Sequence, residues 1–243
     1  MVQLKPAKYS IYQLVLPVSK KQVEFRPWNM AEHKILLMAY SGEERKEVRR
    51  AIRQVVEACV VGGVDVLNLP MADLEFLFTR IRSRSVGETA EITLENSIKN
   101  ESKKILLDIS KLEVTLDPER STQIDLVDTD GKPTGLFFIM KEPTVGIFEE
   151  VIALKAANPQ ISEDIEIAVR CVDKVCDATN QDSSEEKQKE IRDFIETMTP
   201  KQYASIGQFL DTILVLRYEV DLSTVFEGMT GKYVLEGLDS FFE

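Results

Sequence analysis

The spacing of apolar residues changes twice along this chain, and this change constrains the fold more than any other feature. Up to about residue 87, apolar residues recur every three or four positions, as on one face of an α-helix. They then alternate with polar residues, and β-branched side chains are frequent, which indicates β-strands, before helical spacing returns. The sequence therefore predicts an α+β fold whose sections can pack as one body. These sections are an N-terminal leader and helical section over residues 1–87, a small antiparallel sheet over residues 88–145, and a C-terminal helical section over residues 146–243 that ends in a short hairpin.

Three helices are predicted in the first section. Their sequences are "WNMAEHKILLMAYSG", "EERKEVRRAIRQVVEACVV" and "MADLEFLFTRIRSRS", and Gly42 is a typical stop for the first of them. The predicted core faces are Ile35, Leu36, Met38 and Ala39 in the first helix, Val48, Ala51, Ile52, Val55, Val56 and Cys59 in the second, and Leu74, Leu77, Phe78 and Ile81 in the third.

Turn and helix-cap patterns mark the boundaries of helices and strands in the rest of the chain. Asp130-Gly131 is a hairpin-turn dipeptide between two alternating runs. C-terminal helices are predicted at "IFEEVIALKAA", "EDIEIAVRCVDKVCDA", "SEEKQKEIRDFIETM" and "PKQYASIGQFLDTIL". Ser183 with Glu186 has the spacing of a capping box, and Thr199-Pro200 places a threonine cap before a proline at the first helical position. From Leu216 the sequence alternates again and predicts the terminal hairpin.

The net charge and the hydropathy of the chain argue against some classes of partner. The net charge of −11 argues against nucleic acid as the main partner, because binding along a phosphate backbone requires a basic surface. No apolar run reaches the roughly 20 residues that span a bilayer, and residues 1–23 lack a continuous signal-peptide core. We therefore expect no membrane partner and a location in the cytoplasm of the cell that makes the protein. The cysteines contain no C-x-x-C pair, which indicates reduced thiols with at least one in the core.

The motifs of common enzymes and metal sites are missing from the sequence. Glycine-rich phosphate loops and the G-x-S-x-G elbow do not occur. The stretch "DLVDTDG" resembles a calcium loop, but that alignment puts Leu126 and Phe137 at positions that need oxygen ligands. We therefore expect a non-enzyme without catalytic residues, metal or cofactor. An unrecognised pair among the 41 acidic residues, as in a hydrolase, stays an alternative.

The only tryptophan and the only histidine lie five positions apart, in "FRPWNMAEHKILLMA". Asn29 is a good helix N-cap and Glu32 follows three residues later, which is the capping-box spacing. In that frame Trp28 and His33 occupy the two positions of the hydrophobic staple. We interpret them as residues that fix how the first helix enters the core, and we expect replacement of His33 by leucine to have little effect.

One basic cluster and one aromatic pair are candidates for a partner interface. The first is the cluster of Arg80, Arg82 and Arg84 at the end of the third helix. Arginines at this position either are solvated and interact favourably with the helix dipole, or dock on the surface of a partner. Phe76 lies off the predicted core stripe and extends this candidate surface. The second is the pair Phe241 and Phe242 near the end, which either closes the core or docks on a partner.

Four segments, taken in order, give a resemblance to a known family. They are "RPW…EHKILLMA" (Arg26–Ala39), "LPMADLEFLFTRIRSRSVGE" (Leu69–Glu88), "KEIRDFIETMTPKQYASIGQFLDT" (Lys189–Thr212) and "LEGLDSFF" (Leu235–Phe242). Together they resemble the baseplate protein family of T-even-type bacteriophages, which includes the baseplate hub subunit and the hub assembly catalyst. The resemblance runs from about Phe25 to the end and leaves out the leader, Met1–Val23.

This resemblance implies a non-enzymatic role in a contractile phage tail. The chain would be a hub protein, or a chaperone-like factor that helps the hub and the tape-measure protein to assemble. Its expected partners are other baseplate hub or tape-measure proteins, within a symmetric assembly or a homo-oligomer. Its expected location is the host cell cytoplasm during assembly, or the tail baseplate of the virion. A soluble adaptor that binds a host or viral protein without entering the tail is the alternative.

Overall fold

The computed structural model describes residues 7–42, 45–96, 101–115, 120–177, 179, 181–183 and 187–237. The α-helices in these residues are α1 Met30–Tyr40, α2 Arg45–Cys59, α3 Met71–Ser85, α4 Val145–Ala157, α5 Glu163–Cys171, α6 Gln188–Thr197, α7 Pro200–Asp211 and α8 Leu222–Val225. The strands are β1 Tyr12–Val15, β2 Gln22–Phe25, β3 Val60–Val61, β4 Thr89–Asn96, β5 Glu101–Asp108, β6 Glu113–Val114, β7 Gln123–Val127, β8 Pro133–Met140, β9 Val172–Cys176, β10 Gln181–Ser183, β11 Leu216–Asp221 and β12 Lys232–Glu236. A short 3-10 helix spans Ile109–Lys111. The predicted α+β class is confirmed.

The chain forms two compact units. Unit 1 comprises residues 1–115 and 215–243, and unit 2 comprises residues 116–214. These units group the chain differently from the three sections of the sequence, because the β-rich section over residues 88–145 contributes strands to both units.

Unit 1 is built around α3, which packs against α2, β6, β11 and the 3-10 helix. The predicted stripe of α3 is buried, since Leu74, Leu77, Phe78 and Ile81 are at most 3% exposed. Three small antiparallel sheets surround it, in the orders β1-β2-β3, β6-β11-β12 and β4-β5. Asp73 is fully buried at the start of α3 and accepts hydrogen bonds of 2.8 Å from the backbone N–H groups of Val18 and Ser19. These bonds attach the β1–β2 turn to the helix.

Unit 2 packs helices on an antiparallel sheet with the order β7-β8-β9-β10. Its core consists of alternate residues of β7 and β8 and the inner faces of three helices, including Ile124, Phe138, Val169, Ile191, Ile195, Ile206 and Phe209. The predicted turn at Asp130-Gly131 joins β7 to β8. There the N–H of Gly131 donates to the carbonyl of Asp128 at 3.0 Å, and a glycine suits the positive φ of 83°.

Several local predictions are confirmed. Helix α3 spans the predicted segment Met71–Ser85, and β11 pairs with β12 in the predicted terminal hairpin. Thr199 caps α7 with Pro200 at its first turn, and Gln202 completes a capping box. All three cysteines are free and buried. The helix, the hairpin and the cap each depend on residues close together in sequence, so local patterns are sufficient to predict them.

Two predictions in the C-terminal section are wrong. The helix predicted over residues 163–178 ends at Cys171, and the following residues form β9, which pairs with both β8 and β10. Ser183 does not cap a helix, because it lies in β10 opposite Lys174, and α6 begins only at Gln188. Glu186 lies outside the described residues. In both places pairing with a distant strand overrides the local helical pattern.

The leader forms part of a hairpin that its sequence does not predict. Strands β1 and β2 form an antiparallel hairpin in which Tyr12 pairs with Phe25. The turn is closed by a 2.9 Å hydrogen bond from the N–H of Leu16 to the carbonyl of Lys21, and Lys20 adopts a left-handed φ of 58°. The described part of the leader, residues 7–23, therefore belongs to unit 1.

Candidate protein-binding groove

Helix α1 starts with the predicted capping box. The side-chain oxygen of Asn29 accepts hydrogen bonds from the N–H groups of Ala31 at 2.8 Å and Glu32 at 3.3 Å. The carboxylate of Glu32 in turn accepts from the N–H of Asn29 at 2.6 Å. The box fixes the first turn of α1 and the direction in which the chain enters it.

Arg26 ties this helix start to the end of α2. Its guanidinium donates to the Glu32 carboxylate at 2.8 Å and to the carbonyl of Ala58 at 2.9 Å. The hydrogen bond from Arg26 holds the pKa of Glu32 below its usual value. Arg26 and Glu32 are largely buried, with 19% and 11% of their side chains exposed, so the pair helps to hold the start of α1 against the end of α2.

Trp28 lies between α1 and α3. Its ring stacks on His33 with centroids 6.3 Å apart, and on Phe78 of α3 with centroids 5.6 Å apart. Its backbone N–H donates to the hydroxyl of Ser85 at 2.9 Å. The Nδ1 atom of His33 is buried and has no hydrogen-bond partner among the described residues. The predicted staple of Trp28 and His33 is therefore confirmed.

These aromatic residues form one wall of an open groove of about 290 Å³ in unit 1. Its apolar lining comes from α1, α3, the segments that flank them and β4, and consists of Trp28, Leu36, Leu37, Tyr40, Phe78, Val86 and Ala90. Leu37 is 54% exposed and Val86 is 60% exposed, whereas Phe78, at 1%, forms part of the floor. The volume is near the lower end of the range for ligand pockets, about 300–1,000 Å³, and suits a few apolar side chains.

Three polar residues also line the groove: His33, Arg82 and Glu91. Arg82 donates to the carbonyl of Thr89 at 3.2 Å, and burial lowers the pKa of its guanidinium. Glu91 forms an ion pair of 2.6 Å with Lys104 of the neighbouring strand β5, so its negative charge is paired across the β4–β5 hairpin. The groove therefore combines an apolar wall with a positively charged arginine.

Helix α1 carries more apolar surface than its core contacts use. Met38 was predicted to face the core, but it is 67% exposed, so this prediction is wrong. Leu36 is buried as predicted, whereas Met30 and Leu37 are 75% and 54% exposed. The sequence does contain a signal for this exposed apolar surface, because the apolar residues of α1 do not all lie on one stripe of the helix. The prediction places Ile35, Leu36, Met38 and Ala39 on one core face and does not include Met30 or Leu37.

The structure gives Arg80 and Phe76 a role within unit 1. The guanidinium of Arg80 lies 4.4 Å from the centre of the Phe76 ring. It donates hydrogen bonds to the carbonyls of Ser110 and of Leu112, the second at 2.9 Å, and burial lowers its pKa. Phe76 is half-buried under this guanidinium. Both side chains thus hold the segment around the 3-10 helix against α3.

The three arginines are not on one side of α3. Residues two positions apart on a helix point about 200° apart, so Arg82 faces the groove while Arg80 and Arg84 lie on the other side. Arg84 is exposed, lies 5.0 Å from the centre of the Tyr12 ring and is 3.7 Å from Glu88. Phe241 and Phe242 lie outside the described residues. A partner interface at these positions stays a prediction.

The cysteine thiols are buried in the protein. Burial raises the pKa of Cys59 and of Cys171 to about 12, so both thiols are protonated at neutral pH. In the described part of the chain, no three His, Cys, Asp or Glu side chains are grouped closely enough to hold a metal ion. Of the helices described, none has the length and apolar character of a membrane span.

Comparison with known families identifies the chain. The model of the family described as "T4 bacteriophage base plate protein" matches residues 9–243. The match begins before Phe25, where the sequence resemblance began, and includes the β1–β2 hairpin. Comparison with curated proteins and with solved structures gave no match. Since the family model covers nearly all of the sequence, the chain belongs to the T4 bacteriophage base plate protein family.

Proposed function

We propose that this protein is a non-enzymatic component of the baseplate hub, or a chaperone-like factor for assembly of the hub and the tape-measure protein, in a contractile-tailed phage. The observation that carries the proposal is the family match over residues 9–243. In this role the protein works in the host cytoplasm while tails are built, and its partners are other hub or tape-measure proteins.

The groove supports a role that depends on protein contacts. An apolar groove open to solvent, next to the exposed Leu37 and Met38, is typical of surfaces that bind other proteins. A structural component or an assembly factor needs such a surface, because its work consists of binding and positioning other chains. The groove is therefore the first place to look for a partner.

The proposal is tested by removing the protein from an infection and by locating it in the products. A nonsense mutation in its gene should abolish complete tails, and supplying the wild-type protein from a plasmid should restore them. Quantitative mass spectrometry then compares purified virions with infected-cell lysate. Presence in virions indicates a hub component, and presence in lysate alone indicates an assembly factor. Normal tails without the protein would overturn the proposal and favour the adaptor alternative.

A further inference from the structure

Helix α1 exposes an apolar stripe that nothing in the described residues covers. Met30 and Leu37 are seven positions apart, so they lie on the same side of the helix, and Met38 is next to them. These three side chains are 54–75% exposed. The stripe is about 12 Å long from Met30 to Met38, because a helix rises about 1.5 Å per residue.

The stripe is continuous with the groove. Leu37 belongs to both, and Tyr40, one turn further along, lines the groove and is 38% exposed. A ridge of side chains on a helix beside a groove is the arrangement into which a second helix packs. The groove holds a few apolar side chains, and the stripe supplies the length over which further turns of a partner helix make contact.

Charge determines what kind of helix fits. Lys34 is exposed and lies within one turn of Met30, Leu37 and Met38, on the same side of α1. Arg82 adds a second positive charge inside the groove. The acidic lining residue, Glu91, is paired with Lys104. This surface is therefore positive around an apolar centre, although the whole chain has a net charge of −11.

We propose that the groove and the α1 stripe bind an acidic amphipathic helix of a partner protein. Its apolar face enters the groove beside Trp28 and Leu37, and its flanking carboxylates lie near Lys34 and Arg82. This inference rests on the proposed function, for which it names the site and the chemistry of the partner.

A peptide titration with the full chain tests the site directly. The probe is a synthetic helix of about 15 residues, roughly four turns, with leucine and phenylalanine on one face and glutamate on the other. Trp28 is the only tryptophan and lines the groove, so its fluorescence reports binding there. We expect a saturable change with the acidic peptide, and binding at least about tenfold weaker for a peptide with the same apolar face and lysines in place of glutamates.

Two variants of exposed residues separate the site from the rest of the surface. Leu37→Glu should weaken binding of the acidic peptide by about tenfold or more, because a carboxylate then faces the apolar groove and the incoming glutamates. The matched control is Val15→Glu, since Val15 is 58% exposed but does not line the groove, and this variant should bind normally. Lys34→Glu should reduce the preference for the acidic over the lysine peptide. Circular dichroism verifies that each variant is folded.

Three results would overturn the inference. The first is the absence of a saturable signal, and the second is equal binding of acidic and lysine peptides. The third is self-association of the wild-type protein that Leu37→Glu abolishes in sedimentation experiments, because the groove would then be filled by a second copy. Failure of the peptide experiment leaves the proposed function standing if the gene is still required for complete tails. Normal tails without the gene defeat the proposed function whatever the peptide does.

Discussion

Arg80 uses its side chain to hold two segments of unit 1 together. It covers the Phe76 ring and donates to two backbone carbonyls near the 3-10 helix. These contacts give Arg80 a structural role within unit 1. The exposed Arg84, on the same side of α3, is the better position at which to test the predicted basic interface.

Replacement of these two arginines should give different results. Arg80→Ala should lower the free energy of unfolding by about 1–3 kcal/mol, because two backbone carbonyls lose their charged donor and Phe76 loses its cover. Arg84→Ala should change it by less than about 1 kcal/mol, as expected for an exposed ion pair. Urea denaturation followed by circular dichroism measures both. Equal losses would show that Arg80 is not a structural residue.

His33 contributes packing and little else in this structure. Its ring stacks on Trp28, and its buried Nδ1 has no hydrogen-bond partner in the described residues. His33→Leu should therefore change the free energy of unfolding by no more than about 1 kcal/mol, because the apolar contact is kept and an unsatisfied buried nitrogen is removed. Thermal denaturation measures the effect. A loss of phage assembly with unchanged stability would instead give His33 a direct functional role.

Glu166 should make unit 2 sensitive to acid. The guanidinium groups of Arg192, at 2.7 Å, and of Arg170 hold the pKa of Glu166 below its usual value. The carboxylate therefore contributes stability that is complete above its unfolded pKa of about 4.3 and is lost as the pH falls through the lower folded pKa. Glu166→Gln should cost about 1–3 kcal/mol at neutral pH and should reduce the loss of stability on acidification below about pH 5.

The control for this pair is the neighbouring Glu150, which is 3.3 Å from Arg170 with 69% of its side chain exposed. Glu150→Gln should change stability at neutral pH by about 1 kcal/mol or less. Urea denaturation at several pH values measures both variants. If Glu166→Gln were as acid-sensitive as the wild type, the carboxylate would not be the group responsible.

At the scale of elements, the sequence predicts a helix or strand correctly where residues close together in the chain determine it. Helix α3 has a full apolar stripe, and α7 has a threonine cap, a proline and a glutamine at the right positions. Strand β9 has no such local signal, because Val172–Cys176 follows an amphipathic helix without a break. It becomes a strand because β8 and β10 lie on either side of it, and this pairing is not visible in the local sequence.

The groove was harder to predict than the capping box that positions it. Asn29 and Glu32 are three residues apart and form a recognisable pattern. The groove depends on which side of α1 the other elements leave uncovered, and Phe78 and Val86 are distant from α1 in sequence. Periodicity identifies apolar residues, but it does not show which of them remain exposed after folding.

The β1–β2 turn offers a test of strain within one element. Lys20 adopts a φ of 58°, which is unfavourable for residues with a Cβ atom. Lys20→Gly should therefore be neutral or stabilise the protein by up to about 1 kcal/mol, despite the greater flexibility of glycine in the unfolded chain. Lys21→Gly, next to it, relieves no such strain and should destabilise by about 0.5–1 kcal/mol. Thermal denaturation compares the two, and equal effects would contradict this explanation.

At the scale of the whole chain, the two units differ in how the sequence builds them. Unit 2 is one continuous segment, residues 116–214, whereas unit 1 needs residues from both sides of it. Strand β6 pairs with β11, about a hundred residues later, so unit 1 cannot be completed until the chain beyond unit 2 is available. Each unit has buried apolar residues of its own, which include Ile81 in unit 1 and Ile206 in unit 2.

Because each unit has its own core, a cavity made in one core should destabilise that unit more than the other. Ile206→Ala should cost about 2–5 kcal/mol, as is usual for a large-to-small change in a core. It should lower amide hydrogen-exchange protection in β7, β8 and α5 more than in α3. Ile81→Ala should do the reverse, because its contacts lie in unit 1. Hydrogen exchange measured by mass spectrometry distinguishes the two patterns. Equal loss of protection throughout the chain in both variants would show that the units unfold together, and a lesion in either core would then also disturb the α1 groove.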